Sequence, residues 1–395
     1  MKVARIVHLT SAHEPFDIRI FHKECRSLAG AGYDITLVAP HGKNEIVDGV
    51  RIRGLPLPGG KFSRATRTAW KVFREAMGQG AEVYHFHDPE LIPGGLLLRI
   101  SGKKVIYDVH ENHPRNRFFS KYSIPGWHWR PLGWLSWLME HIEHFSARRF
   151  SAIVTADDEL LKRFYVFNDR TIPIQNYPLQ EELLSRPIGE DSRYTSGRLV
   201  SFGGIAPRAS IRELVVAISL LPEGLNARLI LGGDATSEAL RSEVSQMPGW
   251  ERVEYRGMIP RREMVDLLAR AAAAVILFSP SLNSLDVRSN RLFEAMGAGL
   301  PVITSNFPKW KEFVEGNRCG LTVDPKNPQA IAEAFAYILT HPGESAAMGS
   351  RGRQLILERF NWAQEEKKLL GLYADILCKI RSQELSAVTQ GQPPV

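Results

Sequence analysis

Short runs of aliphatic and β-branched residues alternate with amphipathic helical segments along the whole chain. Because strands that alternate with helices form βαβ units, the pattern predicts an α/β fold with parallel sheets. The helices predicted between the strands include 20–30, 211–221 and 261–271. The predicted strands are 4–9, 34–39, 50–55, 82–86, 105–109, 152–155 and 171–175 in the first half, then 199–202, 227–231, 253–255, 273–278, 301–304 and 320–323.

The alternation is interrupted in the middle of the chain. Residues 176–197 are rich in Pro, Glu, Ser, Arg and Gly. A chain of 395 residues also exceeds what one hydrophobic core usually supports, so two domains are expected. We predict domains over 1–180 and 198–360 with a linker over 181–197. A helix over 361–381 should pack back on the first domain, and 382–395, with Gln, Gly and Pro, should form a disordered tail.

Composition indicates an ordinary globular protein, with 44% hydrophobic and 24% charged residues. No apolar run reaches the roughly 18 residues that span a bilayer, and the N-terminus has the pattern of a buried strand and not of a signal peptide. Cys25, Cys319 and Cys378 are far apart and suggest neither a disulfide framework nor a metal site. These features predict a cytoplasmic protein.

The net charge of +7 and the pI near 9.3 favour anionic partners. We expect no nucleic-acid partner, because zinc-finger spacing, RNP-type strands and basic coiled coils are lacking. Two aromatic and basic stretches, 61–74 and 121–137, would suit peripheral contact with an anionic membrane, and the second a lipid-linked acceptor. A core helix with a solvated basic face explains each stretch equally well. Their aromatic residues are Phe62, Trp70, Phe73, Trp127, Trp129, Trp134 and Trp137.

The segment 279–303 carries the most informative chemistry. A buried strand leads into a polar loop, and a helix is predicted to begin near Ser289 or Asn290. Its free N–H groups and dipole would favour phosphate. Asp286 lies in the loop, and Glu294 shares a helix face with Asn290. A carboxylate there would accept hydrogen bonds from sugar hydroxyls; alternatively, Glu294 makes a structural hydrogen bond and Asp286 is a solvated loop residue.

An acidic residue, seven intervening residues and then Glu-Ala-Met-Gly-Ala-Gly-Leu-Pro-Val-Ile over 294–303 resemble the signature of retaining GT-B glycosyltransferases of the group 1 or family 4 type. That family includes many polysaccharide and lipopolysaccharide enzymes. The resemblance extends over nearly the whole chain, through segments 107–111, 175–178, 202–204, 229–234 and 256–260 in the family's order. It implies two Rossmann-like domains whose parallel sheets face each other across a cleft.

The resemblance also implies residue roles. Glu294 would bind the donor ribose, and Asp286 stands where the family has a Glu that contacts the transferred sugar. Met258 and Ile259 would present backbone to the base. His110 would contact the sugar or its phosphate from across the cleft, although a core histidine is the alternative. Further donor contacts are expected at Gly203, Gly204, Gly233, Asn290 and Arg291.

The chain departs from the family at two cationic positions. Where the family places Arg after the first Gly of the Phe-Gly motif this chain has Gly204, and Ala209 stands at the second position. Losing one donor to developing negative charge costs about 3 kcal/mol. Arg208 is the nearest cation and takes a catalytic role here, with Arg288, Arg291 and Arg19 as further sources of charge.

Two strand-end segments in the first half are also polar. His13, Asp17 and Arg19 would meet donor or acceptor, or Asp17 would simply cap a helix. His87-Asp88-Pro89-Glu90 should cap the following helix and shape the acceptor side.

Together these features predict a retaining transferase that moves a sugar from a UDP- or GDP-sugar to a polysaccharide or lipid-linked acceptor. We expect no cofactor beyond the donor and no metal, since no Asp-x-Asp stands at a strand end. A nucleotide-sugar epimerase and a non-catalytic sugar-nucleotide-binding partner are the alternatives. The lack of a Gly-x-Gly-x-x-Gly after a strand argues against a dinucleotide oxidoreductase.

Overall fold

A computed structural model describes residues 3–57, 59–60, 63–110, 130–181, 192–280 and 289–389. The chain divides into two compact units. The first comprises Met1–Asn176 and Ala363–Val395, and the second comprises Tyr177–Trp362. The second unit begins before the predicted linker because the Tyr177 ring packs against Phe293 and Phe360, at centroid distances of 4.8 and 5.4 Å. Most of that linker, residues 182–191, lies outside the described residues.

The first unit contains a sheet whose described strands are β1 (Arg5–Leu9), β2 (Asp34–Pro40), β3 (Glu45–Val47), β4 (Val50–Leu55), β5 (Val83–Phe86), β6 (Lys104–Val109), β7 (Ala152–Thr155) and β8 (Thr171–Pro173). Their order across the sheet is β3-β4-β2-β1-β5-β6-β7-β8. All neighbours are parallel except β3 and β4, which pair antiparallel. The short edge strand β3 was not predicted, because its three residues are too few to show a period.

The second unit contains a fully parallel sheet with the described strands β9 (Arg198–Phe202), β10 (Arg228–Gly232), β11 (Val253–Tyr255), β12 (Ala273–Ile276), β13 (Val302–Ser305) and β14 (Gly320–Val323). The order is β11-β10-β9-β12-β13-β14. Helices cover both faces, so β10, β12 and β13 are largely buried, which explains their nearly continuous apolar runs. The predicted α/β class with parallel sheets is confirmed.

Helices connect the strands in both units. In the first unit a π-helical stretch, Ile18–Cys25, precedes the helix Arg26–Gly30, and a second, Arg64–Thr68, precedes Ala69–Gly78. Its other described helices are Pro89–Leu91 (a 3-10 turn), Ile92–Ile100, Arg130–Ala147, Asp158–Tyr165 and Trp362–Thr389. The second unit has Ser192–Thr195, Ile211–Ser219, Glu238–Ser245, Arg261–Arg270, Asn290–Gly297, Pro308–Gly316, Pro328–Thr340 and Pro342–Glu358, with 3-10 turns at Pro207–Ala209, Glu223–Leu225 and Trp250–Arg252.

The C-terminal helix is longer than predicted. It begins at Trp362 and continues to Thr389, so the prediction of a disordered tail from residue 382 is wrong for 382–389. The physical reason is that Gly and Pro, which end helices, occur only from Gly391 onward. Every helix in the described part of the chain is too short or too polar to cross a bilayer.

Candidate functional site

The strand order creates one switch point in each sheet. Successive strands are added outward from β1 through β2 to β4, and the chain then returns to β5 on the other side of β1. The second sheet does the same between β9 and β12. Ligands of open parallel sheets bind beyond the carboxyl ends of the strands at such points. The residues that follow β1, β5, β9 and β12 are therefore the candidates.

A glycine turn follows β9. Gly203 and Gly204 have φ angles of 149° and 76°, and both donate their N–H groups to the Gly232 carbonyl oxygen, at 2.8 and 2.9 Å. A Cβ on Gly204 would lie 2.0 Å from the Asp234 carbonyl oxygen. This position therefore has no room for the arginine that the family places there.

The turn after β10 packs directly on this glycine turn. Gly233 has a φ of 115° and donates its N–H to the Gly257 carbonyl oxygen at 2.6 Å. A Cβ on Gly233 would lie 2.5 Å from the Gly204 nitrogen. The two turns can therefore pack closely because they have glycine at positions Gly203, Gly204 and Gly233. The N–H groups of these glycines donate to carbonyl oxygens of the second unit.

Arg291 supplies a positive charge at the glycine turn. It lies in the first turn of helix Asn290–Gly297, and a Cβ on Gly203 would be only 2.2 Å from Arg291 Nη1. Its guanidinium carbon lies 5.9 Å from the centre of the Phe278 ring. Burial lowers the pKa of Arg291, and the charge of Arg208 lowers it further, while Glu294 opposes the shift. An anion bound here would relieve the repulsion between the two arginines.

Glu294 lies one helical turn beyond Arg291 and is half-buried. Arg261, from the helix that follows β11, forms an ion pair with its Oε1. A small cavity beside this pair is lined by Phe202, Arg291 and Glu294, among other residues. The carboxylate is therefore held at the switch point of the second sheet.

The remaining predicted residues of the second unit are placed as follows. Arg208 is exposed, and its carbonyl accepts a hydrogen bond from the Ser279 N–H at 2.9 Å. Asn290 is exposed at the helix N-terminus, and the Met258 side chain is 71% exposed. Ile259 packs toward Gly232. Asp286 and Arg288 lie outside the described residues.

The first unit places His110 directly after β6, beside Asp108. His110 Nε2 donates to Asp108 Oδ2 at 2.9 Å, and Arg19 binds both oxygens of the same carboxylate, at 2.9 and 3.0 Å. Burial opposes ionisation of Asp108, yet the charges of Arg19 and His110 hold its pKa well below the usual value. His110 is thus oriented by an ionised carboxylate.

The loop after β1 is tied to the end of β5. Thr10 Oγ1 and Ser11 N–H donate to Asp88 Oδ2 at 2.8 and 2.7 Å. Asp17 caps the helical stretch Ile18–Cys25 by accepting from the N–H groups of Arg19 and Ile20, as the capping alternative predicted. Arg19 is 4% exposed and its Nη1 donates to the Ile174 carbonyl. The guanidinium therefore forms its hydrogen bonds within the first unit.

Sequence reasoning missed a cluster of buried polar residues behind His110. His8, Glu24, His85, His87 and Tyr373 come from β1, the Ile18–Cys25 helix, β5 and its end, and the C-terminal helix, and each is at most 1% exposed. The available signal was the presence of His8 and His85 inside otherwise apolar strands. His8 and His85 are 77 positions apart, so their proximity shows only in the fold.

The two stretches considered for membrane contact are only partly described. In the first, Trp70 is 55% exposed, whereas Val72 and Phe73 are buried. In the second, Trp137 is 57% exposed, and the side chains of residues 121–136 lie outside the described part.

Two family models match the chain. One described as "Glycosyl transferase 4-like domain" matches residues 19–175, and one described as "Glycosyl transferases group 1" matches residues 196–341. The two parallel sheets with their switch-point sites define a protein of the GT-B class. The chain belongs to the group 1 or family 4 glycosyltransferases.

Sequence relatives support this assignment. A GDP-mannose-dependent alpha-(1-6)-phosphatidylinositol monomannoside mannosyltransferase of Mycobacterium tuberculosis is 28% identical over 187 residues, which is 45% of this chain and 48% of the relative. The match thus spans about half the length of that curated relative. A glycogen synthase of the same species is 23% identical and covers 87% of each chain.

Solved structures share the fold. Sucrose-phosphate synthase of Thermosynechococcus elongatus has a TM-score of 0.67 at 19% identity, covering 95% of this chain and all of the other. HepE of Anabaena in complex with UDP and glucose has a TM-score of 0.68 at 14% identity, covering 93% and 99%. At these identities the likeness establishes the fold alone.

Proposed function

We propose that the protein is a retaining glycosyltransferase that moves a sugar from a UDP- or GDP-sugar to a polysaccharide or lipid-linked acceptor. The observation that carries the proposal is Arg291, whose guanidinium stands over the Gly203–Gly204 turn next to Glu294. A cation and a carboxylate side by side at a switch point match the pyrophosphate and ribose of a nucleotide sugar.

In this proposal Arg291 replaces the arginine that Gly204 cannot accommodate. Arg208 and the N-terminus of helix Asn290–Gly297 add positive charge for the pyrophosphate. Glu294, oriented by Arg261, accepts hydrogen bonds from the ribose hydroxyls. Asp286 contacts the transferred sugar, and the backbone of Met258 and Ile259 faces the base. Donors fixed in place at the leaving diphosphate stabilise the charge that develops as the glycosidic bond breaks.

The transfer itself needs no covalent enzyme intermediate. The acceptor hydroxyl oxygen attacks the anomeric carbon on the face that the diphosphate leaves, and the leaving phosphate oxygen takes the hydroxyl proton. The carbon–oxygen bond to phosphate breaks as the new glycosidic bond forms. His110, oriented by Asp108, contacts the transferred sugar. Fixed cations carry out the charge stabilisation, with no metal in the reaction.

Relatives support the donor class. One relative is named as GDP-mannose-dependent, and one solved structure contains UDP and glucose. Membership in a transferase family also favours transfer over the epimerase and the non-catalytic partner. Peripheral membrane contact is part of the proposal, through the exposed face of Trp70 and the region of Trp137, which would bring a lipid-linked acceptor to the first unit.

The test measures nucleoside diphosphate affinity and sugar transfer in the same variants. Arg291→Ala should weaken UDP or GDP binding about tenfold or more, since a hydrogen bond to a charged group contributes about 1.5–3 kcal/mol. Arg208→Ala should weaken it less, because that side chain is exposed. Glu294→Ala and His110→Ala should abolish transfer while the protein stays folded. Arg262→Ala, an exposed neighbour of Arg261, is the matched control.

Unchanged affinity in Arg291→Ala would overturn the donor site. Donor conversion without any acceptor would indicate the epimerase. Donor binding without transfer to any member of a broad acceptor panel would indicate the non-catalytic partner.

A further inference from the structure

Four potential metal ligands meet inside the first unit. His8 lies in β1, His85 in β5, His87 directly after β5, and Glu24 in the helical stretch Ile18–Cys25. All four side chains are buried, at 0 to 1% exposure. Three imidazoles and one carboxylate form a ligand set that zinc prefers in proteins.

The ligand atoms have the spacing of a small coordination sphere. Glu24 Oε2 lies 3.9 Å from His8 Nδ1, and 4.0 Å from both His85 Nδ1 and His87 Nε2. His8 Nδ1 and His87 Nε2 are 3.0 Å apart. Ligands about 2.1 Å from a tetrahedral ion are about 3.4 Å from each other. The observed separations bracket this value, so small side-chain adjustments would complete the site.

Several atoms in the cluster lack hydrogen-bond partners. Neither oxygen of Glu24 accepts a hydrogen bond, and His85 Nε2 has no partner. Glu24 Oε1 forms an ion pair with Arg19 Nε at 3.0 Å, which leaves Oε2 facing the three imidazoles. Buried polar atoms are normally satisfied, so an unsatisfied carboxylate oxygen beside three imidazoles indicates a missing positive partner.

Outer hydrogen bonds would hold the ligands in place. His87 Nδ1 lies 3.2 Å from Asp108 Oδ2, and His8 Nε2 lies 3.1 Å from the Tyr373 hydroxyl. A metal-bound imidazole typically donates its other N–H to a carboxylate or a similar acceptor.

We infer that His8, Glu24, His85 and His87 bind a divalent transition metal, with Zn²⁺ as the best fit. In the metal-bound form, His85 Nδ1 binds the ion and gives up its hydrogen bond with the Tyr373 hydroxyl. The Tyr373 hydroxyl keeps its hydrogen bond with His8. The ion on His87 Nε2 places the proton on Nδ1, which then donates to Asp108. The site is structural: it orients the Asp108–His110 pair and takes no part in the transfer step.

A metal-free network is the competing arrangement. His87 would donate to Asp108, His8 to His87, Tyr373 to His8 and His85 to Tyr373, which satisfies each of these bonds with neutral rings. That arrangement leaves Glu24 Oε2 without a hydrogen-bond partner, whereas His85 Nε2 lacks one in both arrangements. The two arrangements differ in metal content, which decides between them.

The experiment measures metal in the purified full-length chain by mass spectrometry and follows melting after chelation and reloading. We expect about one zinc per chain, a lower melting temperature after chelation, and recovery with Zn²⁺ or Co²⁺. Bound Co²⁺ should show the visible absorption of a tetrahedral site. His8→Gln and His85→Gln should lose the ion, and Tyr373→Phe should weaken binding about tenfold.

His144→Gln is the control, because it removes a histidine of the same unit outside the cluster. Less than a tenth of an ion per chain after zinc exposure, with no change in melting, would overturn the site. Equal zinc binding in wild type, His8→Gln and His85→Gln would also overturn it, since the ion would then lie elsewhere. The wild-type measurements need no variant, so they stand even if a variant fails to fold.

Discussion

His13 lies between two carboxylates in the loop after β1. Its Nδ1 is 3.5 Å from Asp17 Oδ2, and its Nε2 is 3.6 Å from Asp88 Oδ1. Burial opposes the charged ring, but the bond to Asp17 and the charge of Asp88 raise the pKa of His13 above 6.5. Burial also opposes ionisation of Asp17, whose pKa is nevertheless lowered by His13 and the Ile20 N–H.

The directions of these two pKa shifts determine how the stability of the fold depends on pH. The His13 contribution is fully present below its unfolded pKa near 6.5 and is lost as the pH rises through its raised folded pKa. The Asp17 contribution is present above its unfolded pKa near 3.8 and is lost as the pH falls through its lowered folded pKa. The pair therefore stabilises the fold most in mildly acidic solution.

His13→Gln should lower the free energy of unfolding at about pH 5.5 and have little effect at about pH 8.5. The loss should be only about 0.2–1 kcal/mol, because the pair is partly exposed and screened by solvent. Melting curves of wild type and variant at both values check this. His341→Gln, at an exposed histidine of the second unit, is the control. An equal loss at both pH values would mean that the ring acts by packing and not by charge.

At the scale of elements, the glycine turn after β9 fixes the path of the backbone at the proposed donor site. Gly204 combines a φ of 76° with a backbone oxygen 2.0 Å from where a Cβ would stand. Gly257 has a φ of 61° but no atom within 4 Å of that position. Comparing substitutions at these two glycines therefore separates the cost of a strained backbone from the cost of steric overlap.

Gly204→Ala should lower the free energy of unfolding by about 3 kcal/mol, from strain and overlap with a carbonyl that cannot move aside. Gly257→Ala should cost about 1 kcal/mol from strain alone. Urea denaturation of both variants measures the difference. Equal losses would show that the turn relaxes enough to accept a Cβ at residue 204.

At the scale of the whole molecule, the C-terminal helix belongs to the first unit although it follows the second in sequence. Leu369, Tyr373 and Ile376 are buried, and the Tyr373 hydroxyl lies 2.9 Å from His85 Nδ1. The first unit is therefore complete only when the last helix is present.

Truncation after Trp362 should lower the melting temperature of the first unit, because Leu369 and Ile376 each contribute about 2 kcal/mol through burial. Calorimetry of the truncated and full-length chains measures the effect. Truncation after Thr389, which keeps the whole helix, is the control and should melt like the full chain. Identical melting of both truncations would show that the helix adds no stability.

Much of the fold was predictable because its determinants are local. Short runs rich in β-branched and aromatic residues mark strands locally, so β4, β7, β11 and β14 were predicted with their bounds unchanged. Asp17 could be assigned as a cap for the same reason. The helix beyond residue 381 was missed because the segment 382–389 is mostly polar and has no apolar run to mark it.

The amino-acid sequence by itself determined the α/β class, the parallel strands and the family, since each depends on neighbouring residues and short motifs. Only the tertiary structure decided that the Arg291 guanidinium lies against Gly203. It also brought His8, Glu24, His85, His87 and Tyr373 together from distant elements. The physical reason is that such contacts depend on strand order and helix packing, which no local pattern encodes.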